Sequence, residues 1–142
     1  MNPAFKIKVL DLGDDDRLLH YQIHLSDGWQ STTLKFYSYD DAFTKFGSEL
    51  VDFPKSIDSK LTFRVGEDDN MWAYYLLLEV YCHQPNGASL IRVKVKNFCE
   101  PPFCHSCEFY ISSIPAALNR LGQGLKTWKP RETKVYKWKI NT

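Results

Sequence analysis

The sequence predicts an α+β fold: a mainly antiparallel, curled sheet of about eight strands with two amphipathic helices packed on it. Apolar and polar residues alternate in short segments joined by turn-forming residues, which is typical of antiparallel strands. Two other segments repeat apolar residues every three or four positions, as amphipathic helices do. A length of 142 residues and a hydrophobic content of 44% fit a single domain, 1–142.

The first three predicted strands form a meander. Apolar side chains alternate with lysines over residues 5–9 and with histidine or glutamine over residues 19–25. Asp27-Gly28 predicts a hairpin, because glycine tolerates the backbone angles of a tight turn. A third strand is therefore expected over residues 32–36.

The first helix is expected to begin at Ser38, with Asp41 three residues later approximating a capping box. Pro54 is expected to end it, since proline cannot continue a helix. The apolar stripe between these two points consists of Phe43, Phe46, Leu50 and Phe53.

The rest of the chain predicts four more strands around residues 61–65, 72–83, 91–95 and 108–111. The 72–83 segment is apolar on both faces, which favours a central strand covered on both sides. A second helix is expected to begin with Ser112 or Ser113 as its cap and Pro115 in its first turn. A final strand follows over residues 136–140. The apolar stripe of the second helix consists of Ile114, Leu118, Leu121, Leu125 and Trp128.

The charge is balanced in total but not along the chain. Eighteen basic and seventeen acidic residues give a formal charge of +1, yet residues 1–71 carry −5 and residues 72–142 carry +6. Clustered acid is usually the solvated part of a turn, but it also accelerates docking to a basic protein. Partner-binding residues are therefore predicted at Asp14, Asp15, Asp16, Asp40, Asp41, Glu67, Asp68 and Asp69.

Cys99, Cys104 and Cys107 form a C-x4-C-x2-C pattern. Two thiolates at this spacing suit one face of a tetrahedral zinc site, which needs a fourth ligand. Cys82 is expected beside Ser89, at the opposite end of a strand pair, and so cannot supply it. The prediction is reduced thiols and no cofactor, with a small zinc-binding or nucleic-acid-binding module as the alternative.

No known nucleophile, phosphate-loop or metalloprotease motif occurs in the sequence, so no catalytic residue is predicted. An enzyme with an unrecognised site in the concavity of the sheet remains an alternative. Aromatic residues near the C-terminal lysines fall on inward positions, which argues against a nucleic-acid partner. The absence of a signal-like start and of any long apolar stretch predicts a cytoplasmic location and no membrane partner.

Four features together resemble the small bacterial immunity proteins of polymorphic toxin systems, of the WapI type. They are Trp29 before a strand, the helix with Phe43-Phe46-Gly47-Leu50, the long strand from Trp72, and the helix of residues 116–122. The resemblance covers most of the chain and transfers no functional residue. It implies a cytosolic inhibitor that binds and blocks a toxin, often a nuclease, without chemistry of its own. The predicted function is therefore a non-catalytic protein-binding module.

Overall fold

The structure is a computed structural model, and it describes residues 3–13, 18–69, 71–98 and 100–138. The helices are α1 (Thr44–Leu50) and α2 (Pro115–Thr127). The predicted α+β class, with eight mainly antiparallel strands and two helices, is confirmed for this part of the chain. The strands are β1 (Ala4–Asp11), β2 (Leu18–Ser26), β3 (Ser31–Tyr39), β4 (Lys60–Gly66), β5 (Tyr74–Cys82), β6 (Ser89–Asn97), β7 (His105–Ser113) and β8 (Val135–Trp138).

The strands form two four-stranded sheets, which corrects the prediction of one curled sheet. The first sheet has the order β3-β2-β1-β8 and the second has the order β4-β5-β6-β7. The final strand returns to the first sheet, where Trp138 lies opposite Phe5. Apolar and polar residues alternate in the same way whichever sheet a strand joins. The sequence pattern therefore does not show that β3 and β4 belong to different sheets.

The prediction that β5 is a central strand is confirmed, since β4 and β6 flank it. Tyr75 and Leu77 point away from the core and are nevertheless less than a tenth exposed. They lie opposite Lys96 and Lys94 of β6, and both lysines bond to Asp68 of the β4–β5 turn. This turn therefore lies beside the outer face of the second sheet and helps to cover it.

The two helices contribute to a core shared by both sheets. The ring of Phe43, just before α1, stacks on Phe63 of β4 at 4.8 Å. The indole of Trp138 in β8 donates a hydrogen bond to the carbonyl of Ala117 in α2, at 3.0 Å. Buried side chains from all eight strands and both helices form one cluster or pack directly against it.

Candidate partner-binding site

Strand β3, at the edge of the first sheet, runs across one end of the second sheet. Near its start, Thr32 Oγ1 lies 2.9 Å from His105 Nε2, at the beginning of β7. Five residues later, the backbone N–H of Tyr37 donates to the hydroxyl of Tyr74, at the beginning of β5, at 3.2 Å. Both partners belong to one row of the second sheet, because Asn97 of β6 pairs with each of them. The two sheets meet along this row.

Large apolar side chains are exposed on the loops around this row. Trp29 in the β2–β3 turn is 85% exposed, Met71 before β5 is 88% exposed, and Phe103 before β7 is 75% exposed. Trp72 is 47% exposed. Each of the four lies within three residues of a residue that joins the sheets, and we call Trp29, Met71, Trp72 and Phe103 the junction surface.

Ordered turns hold the backbone of the junction surface. One carboxylate oxygen of Asp27 accepts hydrogen bonds from the N–H groups of Trp29 and Gln30, both at 2.7 Å. Gly28 between them has a φ of 100°, which supports the predicted hairpin turn. In the next loop, the carboxylate of Asp69 accepts from the N–H of Met71 at 2.8 Å. Side chains on turns fixed in this way lose little backbone freedom when a partner binds.

A recess of about 300 Å³ lies beside the junction surface. It is bounded by the end of β6 and the start of β7, so its walls combine aromatic, thiol, imidazole and ammonium groups. In protein interfaces, recesses receive anchor side chains of the partner. The lining residues are Lys96, Asn97, Phe98, Cys104, His105 and Ser106.

The predicted acidic residues are distributed among several surroundings. Asp14, Asp15 and Asp16 lie outside the described residues. Asp40 bonds to Arg131 Nε at 3.1 Å, and with Asp41 it lines an open cleft of about 630 Å³ beside the end of α2. This ion pair joins an acidic residue of the first half of the chain to a basic residue of the second half.

The remaining predicted cluster lies in the β4–β5 turn. Glu67 bonds to Arg64 at 3.3 Å, and Asp68 bonds to Lys96 at 2.6 Å and to Lys94 at 3.3 Å. The hydrogen bond from Lys96 is the main reason that the pKa of Asp68 lies below its usual value. Asp69 accepts a hydrogen bond from the N–H of Met71, so this cluster borders the junction surface, whereas Asp40 lies beside α2.

The predicted cysteine trio is only partly described. Cys99 lies outside the described residues, Cys104 is exposed in the loop before β7, and Cys107 is half-buried against the core. As predicted, Cys82 lies at the other end of the sheet, paired with Ser89. Among the described residues, no group of three His, Cys, Asp or Glu side chains is placed to hold a metal ion.

The region where the sequence alternative places an active site is packed in the structure. The inner faces of both sheets contribute to the core, and side chains of α1 and α2 are buried in the same cluster. The 630 Å³ cleft lies instead at the rim, between the end of β3 and the end of α2. Neither helix within the described ranges is long and apolar enough to cross a membrane.

Sequence reasoning did not identify the junction surface. The pattern predicts that Trp72 begins a strand and that Trp29 precedes one, and it assigns no binding role to Met71 or Phe103. The available signal was position: each side chain lies outside a run of alternating residues, where no buried face exists to receive it. What the sequence could not supply is the crossing of β3 over the second sheet, which connects β3 to the starts of β7 and β5.

No protein-family model matches the chain, and no curated protein matches it by sequence. One solved structure is similar in outline, that of the plant transcriptional regulator PBF-2. The two share 14% sequence identity with a TM-score of 0.47, over 88% of this chain and 72% of the other.

Proposed function

We propose that this protein is a non-catalytic binding module that captures another protein through its junction surface. The observation that carries the proposal is the exposure of Trp29, Met71 and Phe103 on three loops, each next to a residue that joins the two sheets. Water contact with side chains this large is unfavourable, and tryptophan and phenylalanine anchor many protein interfaces. A partner that covers them recovers this free energy at a small cost in conformational entropy.

The resemblance to bacterial immunity proteins gives the partner a class: a basic toxin domain that this protein blocks in the cytoplasm. In this version, acidic side chains occupy the phosphate-binding positions of the toxin. Asp69 borders the junction surface and is placed to contribute, whereas Asp40 and Asp68 also hold Arg131 and the Lys94–Lys96 pair. The protein would then inhibit by steric and electrostatic occupation alone.

The experiment is co-expression of this chain with the toxin domain encoded beside its gene. Size-exclusion chromatography with light scattering should show a stoichiometric complex, and calorimetry should give its affinity. The double variant Trp29→Ala, Phe103→Ala should weaken binding by at least 100-fold, since central aromatic residues contribute about 2 kcal/mol each.

The matched control is Ile57→Ala, Ile114→Ala, which removes two exposed apolar side chains that lie outside the three loops. The control should bind like the wild type, and both double variants should keep the wild-type urea midpoint, because all four residues are exposed. If the variant that lacks Trp29 and Phe103 binds as tightly as the wild type, the junction surface is not the binding site. A neighbouring gene that encodes no toxin, or a toxin domain that does not bind, would refute the immunity role.

The acidic mechanism has a separate test. We expect Asp14, Asp15, Asp16 and Asp41, all changed to lysine, to slow association with a basic toxin domain at least tenfold at low salt. Asp40 and Asp68 are left intact, so the internal ion pairs persist. If stopped-flow association rates are the same for this variant and the wild type, electrostatic steering is refuted. The proposed role of the junction surface is not affected by that result.

A further inference from the structure

The outer face of the first sheet carries a group of lysines that the proposed function does not use. In one row of the sheet, Lys6 of β1 lies between Lys137 of β8 and His24 of β2. In the next row, Lys8 of β1 pairs with Gln22 of β2, and Gln22 pairs with Lys35 of β3. We call Lys6, Lys8, Lys35 and Lys137 the lysine face. Lys6 and Lys8 lie about 7 Å apart along β1, and the four strands span about 15 Å. Lys137 lies one strand from Lys6, and Lys35 lies two strands from Lys8.

The lysine face differs from the outer face of the second sheet in its partners. On the second sheet, Lys94 and Lys96 bond to Asp68, and Arg92 bonds to Glu108 at 2.7 Å and to Glu79 at 3.7 Å. Within the described ranges, none of the four side chains of the lysine face forms an ion pair. The basic residues of one sheet are therefore neutralised internally, and those of the other remain available to an external anion.

Folding does not account for this arrangement. Lys6 and Lys137 lie directly opposite each other on neighbouring strands. Like charges in that position destabilise a sheet, and Lys8, two residues along the same strand, adds to the repulsion. A surface that carries like charges at some cost in stability is a candidate for binding an anion.

Aromatic and hydrogen-bonding groups continue the same face. The ring of Tyr37 stacks on His20 at 4.3 Å with an interplanar angle of 8°, and Tyr37 is half exposed. His24 Nδ1 lies 2.9 Å from the hydroxyl of Thr33. The face thus combines several neighbouring positive charges with an aromatic ring that is stacked on an imidazole.

We propose that the lysine face binds single-stranded nucleic acid. Several lysines on one face can neutralise several phosphates of one strand, and an exposed tyrosine ring offers a platform for an unpaired base. A protein partner is disfavoured because lysine is depleted in protein interfaces. The sequence expectation of no nucleic-acid partner depended on C-terminal rings that do point inward. It did not include Lys6, Lys8 and Lys35, which the strand order brings beside Lys137.

The test is fluorescence anisotropy with a labelled single-stranded DNA 20-mer of mixed sequence, from 20 to 200 mM salt. We expect binding with a negative salt slope of about 0.7 per phosphate neutralised. The variant Lys35→Glu, Lys137→Glu should weaken binding at least tenfold and reduce the slope by about 1.4, since it removes two contacts. Tyr37→Ala should weaken binding at least fivefold by loss of stacking.

Lys45→Glu, Lys126→Glu is the matched control, because it makes the same change in net charge on α1 and α2. It should bind within threefold of the wild type. Lys137→Glu alone should raise the urea midpoint, because Lys6 gains an opposite charge, so its weaker binding cannot be attributed to misfolding.

Several outcomes would overturn the proposal. One is that the wild type shows no binding at 100 µM protein and 20 mM salt. Another is that the lysine-face variant and the control lose the same amount of affinity. Equal or tighter binding to the duplex of the same 20-mer, to poly-glutamate or to vesicles with 30% phosphatidylserine would also overturn it. A wild type that prefers the single strand, together with loss only on the lysine face, would support it.

Discussion

At the scale of single residues, ion pairs explain why a cluster of charged residues in the sequence does not always form a charged surface. Asp68 belongs to a run of three acidic residues, yet two lysines from β6 bond to its carboxylate. Glu108 is held in the same way by Arg92, whose hydrogen bond is the main cause of its lowered pKa. Sequence distance hides these pairs, because 26 and 28 residues separate Asp68 from its partners.

The lowered pKa of Asp68 gives a stability prediction with a definite sign. Because the folded-state pKa lies below the usual 3.8, the ion pairs stabilise the fold above about pH 4, and this contribution is lost as the pH falls through the folded-state pKa. We expect Asp68→Asn to lower the urea midpoint at pH 6 and to match the wild type near pH 2. Asp58→Asn, at an exposed position in the loop before β4, is the control and should change neither midpoint. A pH-independent difference for Asp68→Asn would show that its contribution is not ionic.

At the scale of the elements, sequence periodicity located every helix and strand but misplaced several ends. Strand β3 continues to Tyr39, so Ser38 lies in a strand and does not cap a helix. Helix α1 begins only at Thr44 and has no side-chain cap. Likewise, Ile114 precedes α2 and is exposed instead of belonging to its buried stripe. Pairing with neighbouring strands decides where these segments end, and a single sequence does not contain that information.

The crossing of α1 and α2 depends on two glycines. A Cβ atom at Gly122 would lie 2.7 Å from the carbonyl oxygen of Gly47 and 2.6 Å from the backbone nitrogen of Val51. Alanine normally favours a helix over glycine by roughly 0.5–1 kcal/mol. Here the two helix backbones approach too closely for a methyl group, so replacing glycine by alanine should destabilise the protein.

We therefore expect Gly122→Ala to lower the free energy of unfolding by about 1–3 kcal/mol, as overpacked cores do. Gln123→Ala, at the next and exposed position of the same helix, should change it by less than about 0.5 kcal/mol. Urea titrations followed by circular dichroism measure both values. If Gly122→Ala instead stabilises the protein, the helices do not cross at this close distance.

At the scale of the whole molecule, the chain crosses between two sheets and then returns. Alternation, the hairpin signal at Asp27-Gly28 and the two apolar faces of β5 were enough to predict strand number, antiparallel pairing and the central strand. The return of β8 to β1 was not predictable, because residues 135–138 would alternate identically at the edge of either sheet. Both candidate surfaces depend on this architecture: the junction surface on the crossing of β3, and the lysine face on the pairing of β1 with β8.

A core shared by both sheets predicts cooperative unfolding of the whole chain. Near-ultraviolet dichroism, which reports the packing of rings such as Tyr21 and Trp138, should change at the same urea concentration as far-ultraviolet dichroism. Two separated transitions would show that the sheets unfold independently and would contradict the prediction of a single domain over residues 1–142.

Hydrogen exchange of this chain, alone and bound to the toxin domain encoded beside its gene, tests the central claim most directly. A partner seated on the junction surface should slow exchange in three separated segments, 29–37, 71–74 and 100–105, and leave α1 unchanged. Protection that omits all three segments, or the absence of any complex, would contradict the account.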